Sequence, residues 1–318
     1  MKMRSEDKQP AMPPPIEEII ADLGNSDQSL LSSRLADLSN LKSEDLKYFE
    51  QVWLTIKLKQ RRQIVSQLVE LAEDNFELDF DSIYKDCLTD PDAEVRSKAI
   101  DGLWENEEPS LINILINLLE HDSAEQVWVA AATALGKFVM LAEHQRLRSN
   151  YTSKIYQALL AAINDKSKPI EVKCRALEAV APLDSPEVEK TIGDAYQSGN
   201  AKLKVSSIYA MGKNCNPSWL PILLKELGSP DAEIRYEAAR TCGEIGEEEA
   251  VPSLIELAGD PDIEVQAAAI QALGQIGGTE AKNYLEQCLD DPSEVIQQAA
   301  EQALYELQGG KEPLSFSP

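Results

Sequence analysis

Histidine is scarce in this chain of 318 residues, which contains only His121 and His144. Aromatic residues make up 6% of the sequence, no CxxC motif occurs, and no apolar run approaches the ~20 residues that cross a bilayer. Two separated histidines disfavour a histidine-rich metal centre, and the missing CxxC disfavours a thioredoxin-like redox motif. We therefore expect no metal, no cofactor and no membrane partner.

Positive charge is also in short supply. The chain has 30 Lys and Arg against 55 Asp and Glu, so its formal net charge is −25 at pH 7. Residues 226–306 alone hold 19 acidic and 3 basic side chains. Such a surface repels phosphate backbones and anionic headgroups, so we expect that the chain binds no nucleic acid.

Motifs of common enzymes and of secreted proteins are missing as well. The first ten residues, "MKMRSEDKQP", are polar and predict no secretory signal, and five cysteines without a CxxC favour reduced thiols in a cytoplasmic protein. Neither a GxxxxGK[ST] phosphate loop nor a GxSxG elbow occurs. We therefore predict that the chain is not an enzyme and has no catalytic residues, and we interpret its many carboxylates as helix caps and solvated faces.

What the sequence does contain is a recurring phrase. It reads "DPDAEVRSKAIDGLW" from residue 90 and "DPDIEVQAAAIQALGQIGG" from residue 260. The first buried aliphatic residue of each copy serves as its anchor: Val95, Val127, Val172, Leu203, Ile234, Val265 and Ile296. The intervals between anchors are 32, 45, 31, 31, 31 and 31 residues, and a fixed period in this range indicates a solenoid. The long interval indicates an insertion, which we place at about 141–154, and a worn copy has its anchor at Ile64.

Each copy predicts a helical hairpin. The anchor, a mostly small residue four positions later and an apolar residue eight positions later lie on one helical face. Asp90, Asp260 and Asp291 each precede a proline and are expected to cap this helix, which Gly246 and Gly277 end in their copies. A second apolar helix completes each unit, and stacking buries the faces that one hairpin leaves open.

The phrases "DPDAEVRSKAIDGLW", "SPDAEIRYEAARTCGEIGEEEAVPSLIELAGD" and "DPDIEVQAAAIQALGQIGG" resemble HEAT repeats, above all the short subtype of the phycobilisome bilin lyases. The stretch "LVELAEDNFELDFDSIYKDCLTDPDAEVR" is similar to uncharacterised bacterial HEAT-repeat proteins. The resemblance implies that the anchor-bearing helix lines the concave face. It also implies Arg one residue after the anchor, where this chain has Arg96, Trp128, Lys173, Lys204, Arg235, Gln266 and Gln297.

These patterns predict an all-α fold, a right-handed α-solenoid of about seven or eight HEAT-like hairpins of the armadillo-type α-α superhelix. We expect a disordered segment at 1–15, a helical N-terminal cap with one degenerate repeat at 16–82, the solenoid at 83–307 and a tail at 308–318.

Three catalytic HEAT-type families supply alternatives. Deoxyhypusine hydroxylases bind two irons through His-Glu pairs, and this chain has no His-Glu dipeptide. Bilin lyases share the packing residues of the repeat, but we find no separate bilin signature. Alkylpurine DNA glycosylases need a cationic concave face, which the acidic segment 226–306 cannot supply.

A partner site is predicted on the concave face. Positions two, six and ten after the anchor point away from the buried face, and they place Tyr209, Tyr236 and Arg240 on neighbouring repeats. Tyr and Arg are enriched at binding hot spots. The candidate partner-binding residues are Tyr209, Tyr236, Arg240, Lys213, Val129 and Lys137. The alternative is that the tyrosines only pack against adjacent helices.

A second candidate is a basic patch in and beside the insertion. Residues 137–175 hold 8 basic and 3 acidic side chains, in contrast to the acidic C-terminal half. Its members are Arg146, Arg148, Lys154, Lys166 and Lys168. The patch is either a docking site, an internal clamp or a solvated basic loop.

Together these features favour a scaffold or adaptor that binds a protein or peptide on its concave surface. The alternatives are an accessory subunit of a bilin-lyase-like or other modifying enzyme, and an assembly chaperone.

Overall fold

The computed structural model describes residues 15–24 and 32–307, and within them all regular secondary structure is helical. The α-helices are α1 (Ile16–Asp22), α2 (Ser32–Ala36), α3 (Ser43–Trp53), α4 (Leu58–Asp74), α5 (Asp81–Cys87), α6 (Ala93–Gly102), α7 (Ser110–His121), α8 (Glu125–Glu143), α9 (Ser149–Asn164), α10 (Ile170–Val180), α11 (Pro186–Tyr196), α12 (Ala201–Asn214), α13 (Leu220–Glu226), α14 (Ala232–Ile245), α15 (Val251–Leu257), α16 (Ile263–Ile276), α17 (Gly278–Cys288) and α18 (Glu294–Leu307). The segments 1–15 and 308–318 lie wholly or almost wholly outside the described residues. None of the described helices has the length and apolarity needed to cross a bilayer.

The anchors fall on alternate helices. We call α4, α6, α8, α10, α12, α14, α16 and α18 the anchor helices, and α5, α7, α9, α11, α13, α15 and α17 the outer helices. Every anchor residue, including Ile64, is buried, and each anchor helix from α6 to α18 packs against the outer helix that precedes it. The all-α solenoid is thereby confirmed.

The two layers are packed unequally. Each anchor helix contacts the next along the whole row from α4 to α18, whereas outer helices mainly contact their own repeat. Glycine nine positions after the anchor makes this approach possible: Gly136 faces Ala179, Gly243 faces Ala272 and Gly274 faces Ala303. In a curved two-layer stack the closer layer lies inside, so the anchor helices form the concave side.

The residue directly after the anchor makes the same hydrogen bond in several repeats, although its type changes from repeat to repeat. In five repeats this side chain donates a hydrogen bond to the carbonyl six residues earlier: Arg96 to Asp90, Trp128 to Asp122, Arg235 to Ser229, Gln266 to Asp260 and Gln297 to Asp291. Arg96 and Arg235 also form two-pronged ion pairs with Asp122 and Asp260 of the following repeat. Glutamine therefore loses the bridge to the next repeat but keeps the local hydrogen bond.

The helix caps differ partly from expectation. The side chains that cap α6 and α16 belong to Asp92 and Asp262, two residues after the predicted Asp90 and Asp260. Asp90 and Asp260 instead accept the backbone N–H of those cap residues, since each helix begins two residues later than predicted. Gly246 ends α14 in the left-handed conformation as predicted.

The insertion is mostly helical. Of residues 141–154, the first three complete α8, residues 144–148 form the connection, and the rest begin α9. These two helices are the longest of their layers in the repeat region, at 19 and 16 residues. The insertion therefore lengthens one hairpin. Helix packing still sets the distance between the anchors on either side of it.

Candidate functional site

A groove of about 840 Å³ crosses the concave side at the middle of the solenoid. Its walls come from four consecutive anchor helices, α8, α10, α12 and α14. Thr133 and Met140 line one end, Cys174 and Val205 the floor, and Glu233 and Glu237 the other end. The anchor helices can form such a groove because their buried faces point towards the outer layer and leave the opposite face free.

A cation–aromatic cluster stands in this groove where the sequence predicted convergence. Tyr209 lies between two cations: the Arg240 guanidinium is 4.7 Å and the Lys213 ammonium 5.3 Å from the ring centroid. Arg240 also pairs with Glu237 and Glu244, and Lys213 pairs with Glu244. Tyr209, Lys213 and Arg240 are therefore brought together, but each is held by neighbours within the protein.

Tyr236 behaves differently from this cluster. It lies one turn before Arg240 on α14 and is 37% exposed, with its neighbours Glu233 and Glu237 lining the groove. Its ring stacks on no other described aromatic ring or cation. Among the predicted tyrosines, Tyr236 is thus the side chain free to contact a partner.

A second polar network lies on the opposite side of the groove and was not predicted as a unit. Arg175 pairs with Glu171 and Glu178, and the Ser206 hydroxyl donates to Glu178 at 2.7 Å. Burial raises the pKa of Glu178, although Ser206 and Arg175 act against this. The sequence signal was Arg175 within the basic run, but only folding shows that two carboxylates neutralise it.

A further cavity of about 850 Å³ lies towards the N-terminal end of the concave side. Ile100 of α6 and Trp104, just beyond the end of that helix, line it together with Thr133 and Lys137 of α8. Thr133 also lines the groove, so the two spaces adjoin. Trp104 is 52% exposed, and the sequence analysis missed it because it occupies the position that holds glycine in four other repeats.

Lys137 and Val129 were both predicted to be available to a partner, but their surroundings in the structure differ. The Lys137 ammonium donates to the carbonyls of Leu103, Trp104 and Asn106, and so caps the end of α6. Burial lowers its pKa to about 8, although nearby carboxylates act in the opposite direction. Lys137 is therefore a structural cap, whereas Val129 is half-buried on the wall of a shallow depression beside the cavity.

The predicted basic patch does not form one surface. Lys168 is buried, with its ammonium 3.5 Å from the centroid of Trp128 and bonded to the Leu119 carbonyl. Arg146 pairs with Glu107, and Lys154 donates to Asn113. Arg148 and Lys166 are exposed. Three of the five cations are thus used within the protein, each on a residue more than 30 positions away in sequence.

The cysteines divide by burial. Cys87, Cys242 and Cys288 are buried, and burial raises the pKa of the Cys242 thiol to about 12. Cys174 is 2% exposed even though it contributes to the groove floor. Cys215 is exposed.

The histidines do not fit a di-iron site built from His-Glu pairs. His121 ends α7 and His144 follows α8, so the 19-residue α8 separates them by about 28 Å at 1.5 Å per residue. Within residues 15–24 and 32–307, no group of three or more His, Cys, Asp or Glu side chains could hold a metal ion.

Comparison with known proteins identifies relatives that are enzymes. A deoxyhypusine hydroxylase of Candida albicans is 31% identical over 100 residues, which is 31% of this chain and 31% of the relative. That of Rattus norvegicus is 27% identical over 97 residues, 30% of this chain and 32% of the relative. The human deoxyhypusine hydroxylase structure in complex with glycerol aligns with 92% of this chain and 97% of its own, at 16% identity and a TM-score of 0.36.

These relatives correct the functional expectation from the sequence. We predicted that the chain is not an enzyme, and that prediction is wrong by this comparison, because the curated relatives are hydroxylases. The match spans about a third of the length of each curated relative.

The family model for HEAT repeats matches residues 84–155 and 220–305. These ranges coincide with the hairpins from α5 to the start of α9 and from α13 to α18. The matched parts of the chain are therefore HEAT repeats, arranged in a helical solenoid.

Proposed function

We propose that the chain holds a segment of a partner protein in the groove across α8, α10, α12 and α14. The single observation that carries this proposal is the contiguous concave surface: consecutive anchor helices build a groove of about 840 Å³ that adjoins a second cavity through Thr133. At helix spacings of 8–10 Å, the five anchor helices from α6 to α14 span roughly 40 Å, which accommodates an extended segment of about 12 residues.

The side chains on this surface suit a polypeptide. Tyr236 and Met140 are exposed, at 37% and 43%, and offer apolar contact area between polar groups. The paired Arg175 and Arg240 hold carboxylates in fixed positions that can accept backbone N–H groups. The high acidic charge argues against a nucleic acid or an anionic membrane as the ligand, and a cytoplasmic location remains part of this proposal.

A role beside a modifying enzyme is the second candidate; the curated relatives are themselves hydroxylases, matched over about a third of their length. In that role the groove would present the partner segment to a reaction. An assembly chaperone would use the same groove for a segment that is released later.

The test is the affinity of a partner identified by co-purification from native lysate and mass spectrometry. The variant Tyr236→Ala with Met140→Ala removes an exposed side chain that lines the groove, Met140, and an exposed one beside its Glu233–Glu237 end, Tyr236, and we expect the partner to bind at least about 10-fold more weakly. Ile114→Ala is the matched control, because Ile114 is 41% exposed but lies on the outer helix α7. Unchanged affinity in the groove variant, or equal loss in the control, would contradict the proposal.

A further inference from the structure

The cavity beside Trp104 has an unusual combination of side chains. The Trp104 side chain is 52% exposed, and no aromatic ring or cation of residues 15–24 and 32–307 stacks on it. The cavity of about 850 Å³ around it is also lined by Glu73, Asp101, Glu105 and Glu107. An aromatic face ringed by carboxylates is the environment that attracts a cation.

The space lies beyond the end of a short anchor helix. The helix α6 ends at Gly102, so Trp104 lies beyond it, whereas Gly136, Gly243 and Gly274 at the corresponding position lie within their helices, where an added Cβ would meet the next one. The Trp104 side chain is too large for that contact. The cavity on the concave side is accordingly lined by the end of α6, the connection that follows it and α8.

The one lysine of the protein that lines this cavity does not pair with the carboxylates around Trp104. Lys137 is the single basic side chain that lines the cavity, and its ammonium bonds to the carbonyls of Leu103, Trp104 and Asn106. Arg146 pairs with Glu107 and Lys98 pairs with Asp101 from outside the cavity lining. Among the described residues, Glu73 and Glu105 take part in no ion pair, and both are exposed.

We infer that this cavity binds an arginine side chain of a basic segment of the partner protein, with the guanidinium stacked on Trp104 and paired with Glu73 and Glu105. Arginine fits better than lysine because a planar guanidinium stacks on an indole and pairs with a carboxylate at the same time. The inference rests on the proposed function, since Thr133 joins this cavity to the groove. It adds that the partner segment is basic and that its arginine binds in the cavity beside Trp104.

Fluorescence anisotropy with labelled peptides tests the inference on the full chain. The probe is a short peptide in which arginines alternate with Gly-Ser, and its control has citrulline, the neutral analogue, at each arginine. We expect binding of the arginine peptide and at least about 10-fold weaker binding of the citrulline peptide. Equal binding of the two peptides would overturn the inference.

Two variants locate the site, each with a matched control. Glu73→Gln with Glu105→Gln should weaken binding of the arginine peptide roughly 5- to 10-fold, and Trp104→Ala by a similar factor. Glu248→Gln with Glu249→Gln removes the same charge at two exposed carboxylates outside the cavity, and we expect less than a ~2-fold change from long-range charge alone. Ile114→Ala controls for loss of an exposed apolar side chain. Equal weakening by the two charge pairs would mean that net charge attracts the peptide, and the cavity would not be its site.

The same variants separate this inference from the proposed function. Loss of an identified partner on changing Tyr236 and Met140, but not on changing Trp104, Glu73 or Glu105, would leave the groove in place and overturn the arginine site. Peptide binding that depends on Trp104 while Tyr236 and Met140 have no effect on the partner would overturn the groove and support the arginine site.

Discussion

At the scale of single residues, Asp90 joins the N-terminal helices to the first repeat. Its side chain is fully buried, accepts the Trp53 indole N–H at 2.8 Å and lies 3.1 Å from the buried Arg61 guanidinium. It also accepts the backbone N–H of Asp92. Three donors from different parts of the chain therefore converge on one carboxylate.

Asp90→Ala should lower the free energy of unfolding by about 3–5 kcal/mol, because it leaves Arg61 buried without a counter-charge. Asp101→Ala is the control, since the Lys98–Asp101 pair is about half exposed on both sides, and its loss should change stability by less than about 0.5 kcal/mol. Urea denaturation of both variants measures the difference. Equal changes in the free energy of unfolding would mean that the buried Asp90 cluster does not hold the N-terminal helices on the first repeat.

Asp86 offers a pH test at the same scale. Burial, followed by the nearby Glu50 and Asp90 carboxylates, raises its pKa to about 6. A raised folded-state pKa means that the folded protein binds the Asp86 proton more tightly than the unfolded chain does. The contribution of Asp86 to stability is therefore favourable below about pH 4 and is lost as the pH rises to about 6.

Asp86→Asn should accordingly stabilise the protein at pH 7, by on the order of 1 kcal/mol after allowance for solvent screening. The gain should shrink as the pH falls from about 6 to about 4 and disappear near pH 3, where the wild-type carboxyl is protonated in both states. Thermal unfolding across this range measures it, and a gain that does not depend on pH would contradict the assignment.

At the scale of elements, the contact between anchor helices depends on glycine. A Cβ on Gly243 would lie 2.9 Å from the Cα of Ala272 on the next anchor helix. Gly243→Ala should therefore push α14 and α16 apart and cost about 1–3 kcal/mol. Gly259→Ala is the matched control, because its Cβ would meet nothing closer than the Glu256 carbonyl at 3.5 Å.

Guanidinium denaturation of the two glycine variants decides the point. Gly259→Ala should be neutral or slightly stabilising, since it only restricts the unfolded chain. A neutral Gly243→Ala would mean that the helices adjust without cost and that glycine does not set the concave spacing.

Helix register gives a second test at this scale. Leu273 is fully buried and Gln271 is exposed on the same helix, α16, as the spacing from the anchor Val265 predicted. Leu273→Ala should cost about 2–5 kcal/mol and Gln271→Ala less than about 0.5 kcal/mol. Similar losses in chemical denaturation would contradict the register.

The repeat period predicted the fold because every anchor depends on local helical spacing alone. Tyr209, Lys213 and Arg240 could be placed together for the same reason. Burial of Lys168 could not be predicted, because its acceptor on Leu119 is 49 residues away. Trp104 was missed because it is an exception: other repeats have a small residue at the same position. The consequence of this difference is visible only in the stacked helices.

At the scale of the whole molecule, the acidic charge opposes the fold. Residues 226–306 carry 19 acidic and 3 basic side chains, and all three basic ones, Arg235, Arg240 and Lys282, are already paired. Raising NaCl from about 0.01 to about 0.15 M shortens the Debye length from ~30 to ~8 Å, so repulsion between repeats should fall and the melting temperature should rise. A melting temperature that falls with added salt would show that ion pairs such as Arg235–Asp260 outweigh the repulsion.

The central claim is that a partner segment lies along the anchor helices, and site-specific photo-crosslinking tests it most directly. A photoreactive benzoylphenylalanine replaces Met140 in the groove, Tyr236 beside the groove on α14, or Ile114 on the outer helix α7. We expect that Tyr236 and Met140 crosslink the same partner protein and that Ile114 does not. Crosslinking of that partner from Ile114 with none from Tyr236 and Met140 would place the interface on the outer layer and contradict the account.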